Sequence, residues 1–245
     1  MNNGMSTPPP SFKRILLKLS GETLQNHETG MNLDADVIHG VATQVKAVVE
    51  SGIEVAMVVG GGNIYRGLSG EQHGINRSQG DYMGMLATCI NSLALQAILE
   101  QIGVETRVMS AITMPRVAEP FIVRRATRHL SKGRVVIFSA GTGNPFFTTD
   151  SAAALRASEI GADCLMKGTK VDGIYDKDPV KHPDATRYET LTYQEAIEQQ
   201  LRVMDTAAFS LCQENHIPIV VFNFFKPDEL KRVVNGENVG TRIEA

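Results

Sequence analysis

Short apolar runs recur along this chain, each cut off by glycine or a small polar residue and followed by a helix-length segment. Phe12 to Leu19 ends at Ser20-Gly21, and Ile53 to Val59 ends at Gly60-Gly61-Gly62. Val104 to Val108, Arg134 to Phe138, Asp163 to Lys167 and Pro218 to Phe222 read as further buried strands. Between them, Asp34 caps a helix to about Glu50 that places Val37, Val41, Val45 and Val48 on one face. Gly80 to Ile102 reads as a long helix, and Asp150 or Ser151 starts another to about Ile160. Helices follow near Thr192–Gln199, at Asp205–Asn215 and from Pro227, with an irregular stretch around Pro179 and Pro183. Strand–helix alternation predicts an α/β fold: a mainly parallel sheet with helices on both faces, a three-layer α/β/α sandwich.

Such a sheet binds ligands beyond the carboxyl ends of its strands. Each glycine break is therefore a place to look for chemistry. At 245 residues, 42% hydrophobic and 21% charged, the chain has enough apolar material for one full core. We expect a single domain over 12–245, with two halves at about 12–165 and 166–245. The first eleven residues, with Pro8-Pro9-Pro10, lack a signal peptide's apolar stretch and read as a disordered leader.

A net charge of −3 gives no bulk reason to expect nucleic acid or anionic membrane as a partner. No run is expected to supply the ~18–20 apolar residues of a membrane span. Cys89, Cys164 and Cys212 are sparse and widely spaced, which predicts buried thiols rather than disulfides or a zinc site, and a reducing cytoplasm fits. No dedicated metal-ligand set is legible.

Four post-strand segments carry candidate chemistry. In Lys18-Leu19-Ser20-Gly21, the lysine can reach over the sheet edge to a phosphate, with backbone N–H groups beside it; a snorkelling strand-end lysine is the plainer reading. In Gly60-Gly61-Gly62-Asn63, three glycines imply close backbone approach or positive φ, and Arg66 adds a charge suited to phosphate. Gly141-Thr142-Gly143-Asn144-Pro145-Phe146-Phe147-Thr148-Thr149-Asp150 combines aromatics suited to a base with hydroxyls and a helix start suited to a phosphate. Lys167 to Pro179 offers three lysines, Tyr175 and alternating aspartates, although Asp172-Gly173 and Asp178-Pro179 are also ordinary turn signals. Two familiar nucleotide signatures are missing: there is no G-x-x-x-x-G-K-[ST], and the Gly141 run has Phe146 where G-x-G-x-x-G needs glycine.

Taken in this order, the segments resemble the amino-acid kinase family, and within it the bacterial UMP-kinase branch. The likeness runs from about Lys13 to Ile243. It is carried by KRILLKLSGE at Lys13–Glu22, GGGN with RG at Gly60–Gly67, and GDYMGMLAT at Gly80–Thr88. SAGTGNPFFTTDSAA at Ser139–Ala153, TKVDGIY at Thr169–Tyr175 and VMDTAAF at Val203–Phe209 complete it. The resemblance implies transfer of the γ-phosphoryl group of ATP to UMP, with Mg²⁺ accompanying ATP.

It further implies an ATP-phosphate site at Lys18, Leu19, Ser20 and Gly21, with Gly62 and Arg66 beside it. Thr169, Tyr175 and Asp178 match positions holding the adenosine. Gly61, Arg66 and Asp81 match the UMP site, Arg66 toward the phosphate and Asp81 toward the ribose. Thr142, Gly143, Asn144, Pro145, Phe146, Phe147, Thr148 and Thr149 match the loop that wraps UMP. Asp150 and Asp205 match acidic positions beside the phosphates, orienting lysines or magnesium; with Lys18 and Arg66 they are the candidate catalytic set. A homohexamer and inhibition by UTP are also implied. The segment Asn26-His27-Glu28-Thr29-Gly30-Met31 is poorer in glycine than the branch's activation loop, so little activation by GTP is expected.

An acceptor that is itself a phosphate needs no general base, which agrees with six histidines scattered outside the glycine loops. The competing readings are a family kinase acting on a carboxylate, which has no use for the Phe pair or Asp81, and a non-catalytic nucleotide-binding or storage protein. A Rossmann oxidoreductase lacks its fingerprint here.

Overall fold

The computed structural model describes residues 12–66, 74–199, 201 and 203–244. The expected leader, Gly67 and His73 lie outside them. Among the described residues one sheet has the order β4-β3-β5-β2-β1-β6-β8-β9-β7. Its strands are β1 Arg14–Leu19, β2 Glu54–Val59, β3 Thr106–Ser110, β4 Glu119–Pro120, β5 Val135–Ser139, β6 Cys164–Thr169, β7 Thr190–Thr192, β8 Ile219–Asn223 and β9 Thr241–Glu244. All pairings are parallel except β8 with β9.

The helices are α1 Ala35–Glu50, α2 Arg77–Gln101, α3 Val123–Leu130, α4 Thr149–Ile160, α5 Tyr193–Glu198, α6 Thr206–Glu214 and α7 Glu229–Val234, with a 3₁₀ turn at Gly21–Leu24. They cover both faces, so the expected three-layer α/β/α sandwich is what the chain forms. Ile15, Leu17 and Leu19 of β1 pack into one apolar cluster with residues of α1, α2 and α7. Leu16 enters the other, with residues of α3, α4, α5 and α6. Strand alternation therefore sends Lys18 to the Leu16 side.

Several boundaries differ from the sequence reading. α2 begins at Arg77 rather than Gly80, because the Asn76 side chain accepts from Gln79 N at 2.9 Å. α4 is capped by Thr148, not Asp150 or Ser151: its hydroxyl accepts from Asp150 N at 3.0 Å and Ser151 N at 3.3 Å. The short elements β4, α3, β7 and β9 escaped the periodicity. α3, VRRATRHL, buries only Ala126 and Leu130 and has no side-chain cap.

α2 also corrects the expectation about membrane spans, since by length and composition it is apolar enough to cross one. Here Leu95 and Leu99 are buried in the cluster that α2 shares with α1. Met83, Leu86 and Ile90 of α2 lie off this core face and are exposed, whereas Met85 and Cys89 are buried. All three cysteines are free and buried, as expected. Burial pushes the Cys164 and Cys212 thiols up to about 12, which keeps them protonated and unreactive.

Candidate active site

The loops after β1, β2, β5 and β6 meet at the carboxyl edge of the sheet. Lys18 and Lys167 are register partners on adjacent parallel strands, so both side chains leave the same face. The first residues of α4 lie over that face. Lys18 Nζ is 2.6 Å from Asp150 Oδ1, and Lys167 Nζ donates to Asp150 Oδ2 at 2.7 Å and to the Val203 carbonyl.

Burial alone would push the Asp150 carboxyl up, but the two ammonium groups outweigh it and hold it below the ordinary carboxylate value. Lys167 is pushed down, first by burial and then by Lys18 beside it, with Asp150 opposing. Two lysines on one carboxylate leave one net positive charge at the floor of the site. The N-terminus of α4 adds its helix dipole there, a setting suited to an anion.

Asp205 lies close enough to Lys167 to act on its charge and also ties two helix starts together. It caps α6, accepting from Ala208 N at 2.7 Å, and it accepts from the Ser151 hydroxyl at 2.9 Å and from the Thr148 hydroxyl. It therefore clasps the start of α4 to the start of α6. Ser151 was not a candidate residue, and its helix-start position gave no sign of a partner 54 positions away.

A cleft of about 130 Å³ opens beside this floor. Of the candidates, Gly61, Gly62, Asp81, Thr142, Asn144, Phe147, Thr148 and Thr149 line it. Gly143, Pro145, Phe146 and Arg66 are not among its lining residues. Tyr65, Gly84, Met85 and Thr88 were missed; Gly84, Met85 and Thr88 follow Asp81 at helical spacing, which was the available signal.

Gly61 is needed for packing: a Cβ there would lie 2.7 Å from the Gly84 carbonyl oxygen and 2.8 Å from Ala87 Cβ. Its neighbour is α2, and none of the three glycines has positive φ. The close approach that the triple glycine implied is to the protein itself.

The loop after β5 is wound tightly. Ala140, Gly141, Gly143 and Phe146 all have left-handed φ, between 56° and 79°. For Ala140 and Phe146 that conformation costs on the order of 1–2 kcal/mol each. Asp81 holds the strained point: its carboxylate accepts from Phe146 N at 2.7 Å and from Arg77 Nε at 3.0 Å. Phe146 and Phe147 are exposed, and only Phe147 borders the cleft.

On the other side of Lys167 a second hollow is lined by Tyr175 and Asp178, together with Val171, Ile174, Leu201 and Val203. Thr169 does not line it. The Thr169 hydroxyl is consumed in its own turn, donating to the Val171 carbonyl at 2.6 Å. Tyr175 donates to Asp172 Oδ1 at 2.5 Å.

At the mouth between cleft and hollow, Arg66 pairs with Glu22 and donates to the Gly62 carbonyl at 3.2 Å. Among the described residues no group of three or more His, Cys, Asp or Glu side chains is placed to cage a metal. Both oxygens of Asp205 accept hydrogen bonds, whereas Asp150 Oδ1 has its ion pair with Lys18 and no hydrogen bond.

A model of the amino acid kinase family matches residues 13–223. Among solved structures, the UMP kinase of Bacillus anthracis is 41% identical, with a TM-score of 0.92 over 95% of this chain and 96% of that one. The UMP kinase of Ureaplasma parvum is 39% identical, with a TM-score of 0.89 over 95% of this chain and 99% of that one. The uridylate kinase of Archaeoglobus fulgidus is 29% identical, with a TM-score of 0.72 over 94% of this chain and 99% of that one.

Proposed function

The chain belongs to the amino acid kinase family, and we propose that it transfers the γ-phosphoryl group of ATP to UMP, giving UDP and ADP. The observation that carries this reading is the Lys18–Asp150–Lys167 floor set between two hollows, one bordered by Phe147, Asp81 and the Thr148–Thr149 helix start. That cleft offers an aromatic face, a carboxylate and hydroxyls, the chemistry of base, ribose and phosphate. The 39–41% identity to solved UMP kinases supports the same reading.

Phosphoryl transfer asks a protein mainly to hold two anions in line and to neutralise charge on the transferring oxygens. A phosphate monoester with a second pKa of about 6 is mostly dianionic above neutrality and attacks without a general base. Lys18 sits at the strand end, fixed by Asp150, where it can meet the transferring group. Lys167 is a buried brace for Asp150. The α4 N-terminus, with Thr149, faces the acceptor phosphate, and Asp81 faces the ribose. Tyr175 and Asp178 border the hollow for adenosine.

Mg²⁺ would accompany ATP and would neutralise charge on its phosphate oxygens. On this reading the domain has an acceptor half at about 12–165 and a donor half at about 166–245. A cytoplasmic homohexamer, inhibition by UTP within the acceptor loop and little response to GTP complete the reading.

An assay of ADP release with UMP, CMP, glutamate and aspartate as acceptors tests it. Turnover with UMP well above the others is expected. Turnover with a carboxylate acceptor, or with none, overturns it.

A further inference from the structure

We propose that Glu22 is a positioning residue whose carboxylate holds two exposed cations, Arg66 and Lys170, and yields them to incoming phosphate groups. The inference rests on the phosphotransfer reading above and assigns the regulation of that site's affinity.

One carboxylate serves two loops. Glu22 Oε1 meets Arg66 Nη2, and Glu22 Oε2 lies 3.8 Å from Lys170 Nζ. Arg66 follows β2 and Lys170 follows β6, the two strands that flank β1. Glu22 stands in the turn directly after β1, so it occupies the boundary between cleft and hollow. Its backbone has little freedom. A Cβ on Gly21 would lie 2.3 Å from Asn63 Oδ1 and 2.6 Å from the Gly60 carbonyl oxygen, so the turn is pressed against the β2 loop. The side chain therefore reaches both cations from a fixed origin.

Three observations set these cations apart from Lys18 and Lys167. The Arg66 and Lys170 side chains are 61% and 55% exposed, against 9% and 13% for the buried pair. Arg66 is turned onto Glu22 and the Gly62 carbonyl, and is not among the residues lining the acceptor cleft. Lys170 is steadied by a second contact, its ammonium 3.0 Å from His27 Nε2. His27 belongs to the 26–31 segment, which is closed on itself: Asn26 Oδ1 accepts from Glu28 N at 3.0 Å and Thr29 N at 3.2 Å. That segment acts on the donor side through Lys170.

Exposed ion pairs are weak, so a phosphate carrying up to two charges displaces Glu22 and pays only a small penalty. Removing the carboxylate removes that competition. Glu22→Gln is expected to bind UMP about two- to fivefold more tightly in the absence of ATP.

Calorimetric titration of UMP into wild type, E22Q, R66A and the E22Q/R66A double variant tests this, with melting temperature confirming that each is folded. The gain is expected in E22Q and absent in the R66A background. Parallel titration of MgADP is expected to show the same gain, absent in a K170M background. Equal or weaker binding by E22Q, or a gain that survives R66A, overturns the proposal. Inorganic pyrophosphate, which needs the cations but no nucleoside, is titrated alongside. If wild type binds pyrophosphate and not UMP, the acceptor reading fails while Glu22 is still judged by the pyrophosphate result.

Discussion

Lys18 and Lys167 stand side by side across the β1–β6 register and close on opposite oxygens of Asp150, at 2.6 and 2.7 Å. The arrangement gives the two lysines unequal work. Lys167 is also tied to the Val203 carbonyl, whereas Lys18 has Asp150 as its ionic partner at the end of the strand. Replacing Lys18 by Met leaves the Lys167–Asp150 pair to hold the fold. kcat is expected to fall at least ~100-fold, the scale of electrostatic contacts to transferring groups. Steady-state kinetics with a circular dichroism check decide it, and near wild-type turnover would remove Lys18 from the chemistry.

Asp150→Asn leaves two neighbouring buried ammonium groups without their carboxylate. Loss of one partner of a buried ionic cluster typically costs about 3–5 kcal/mol, and activity is expected to fall with it. The pH dependence has a definite sign. The folded-state pKa of Asp150 is depressed, so its contribution is fully present above the unfolded value of about 3.9 and is lost as pH falls through the folded value. Melting temperatures from pH 6 down to pH 3 should therefore show a steeper acid decline in wild type than in D150N. Parallel curves would contradict this.

Asp81→Asn should raise KM for UMP and weaken discrimination against dUMP. The structure adds a second route to the same KM effect, because Asp81 also holds the left-handed Phe146 through its N–H at 2.7 Å. The two routes separate on the deoxy substrate. A uniform loss for UMP and dUMP indicates the loop anchor alone, and a loss confined to UMP indicates the ribose contact.

Tyr82, Met83, Leu86 and Ile90 form an exposed apolar strip on α2, opposite its buried face. Apolar strips of this kind mark contact surfaces. Light scattering at micromolar concentration is expected to give a mass several times 26.7 kDa, and Leu86→Arg or Ile90→Glu should reduce it. A wild-type monomer would rule out assembly through α2.

UTP is expected to inhibit competitively with UMP through the intact Thr142–Thr149 loop, and GTP to activate little. In the 26–31 segment Gly30 has φ 73°, and the Asn26 side chain satisfies the backbone from within. Few N–H groups there remain to meet a purine triphosphate. Titrating each nucleotide at sub-saturating ATP and UMP checks both expectations. Several-fold activation by GTP that vanishes on replacing Asn26–Gly30 would contradict the second.

The layered α/β architecture was legible because local physics encodes it. Apolar runs such as Leu16–Leu19 and Val55–Val59 have nowhere to go but a sheet buried on both faces, and the valines of α1 repeat at helical spacing. Glycine and threonine density marked the loop that borders the cleft, since those residues are costly or idle in a plain turn. Short elements stayed hidden: β9, TRIE, carries too few apolar residues to show a period and gains its place by pairing with β8 and β7. Long-range partnerships stayed hidden as well. Nothing near Asp150 in the chain announces that β1 and β6 will align Lys18 with Lys167 beneath it, 132 and 17 positions away. Nor does Glu22 announce Arg66 and Lys170. Residue type and spacing determined which groups could carry charge to a phosphate. Strand register and helix packing, which depend on contacts between distant segments, decided which of them are buried braces and which remain exposed at the mouth.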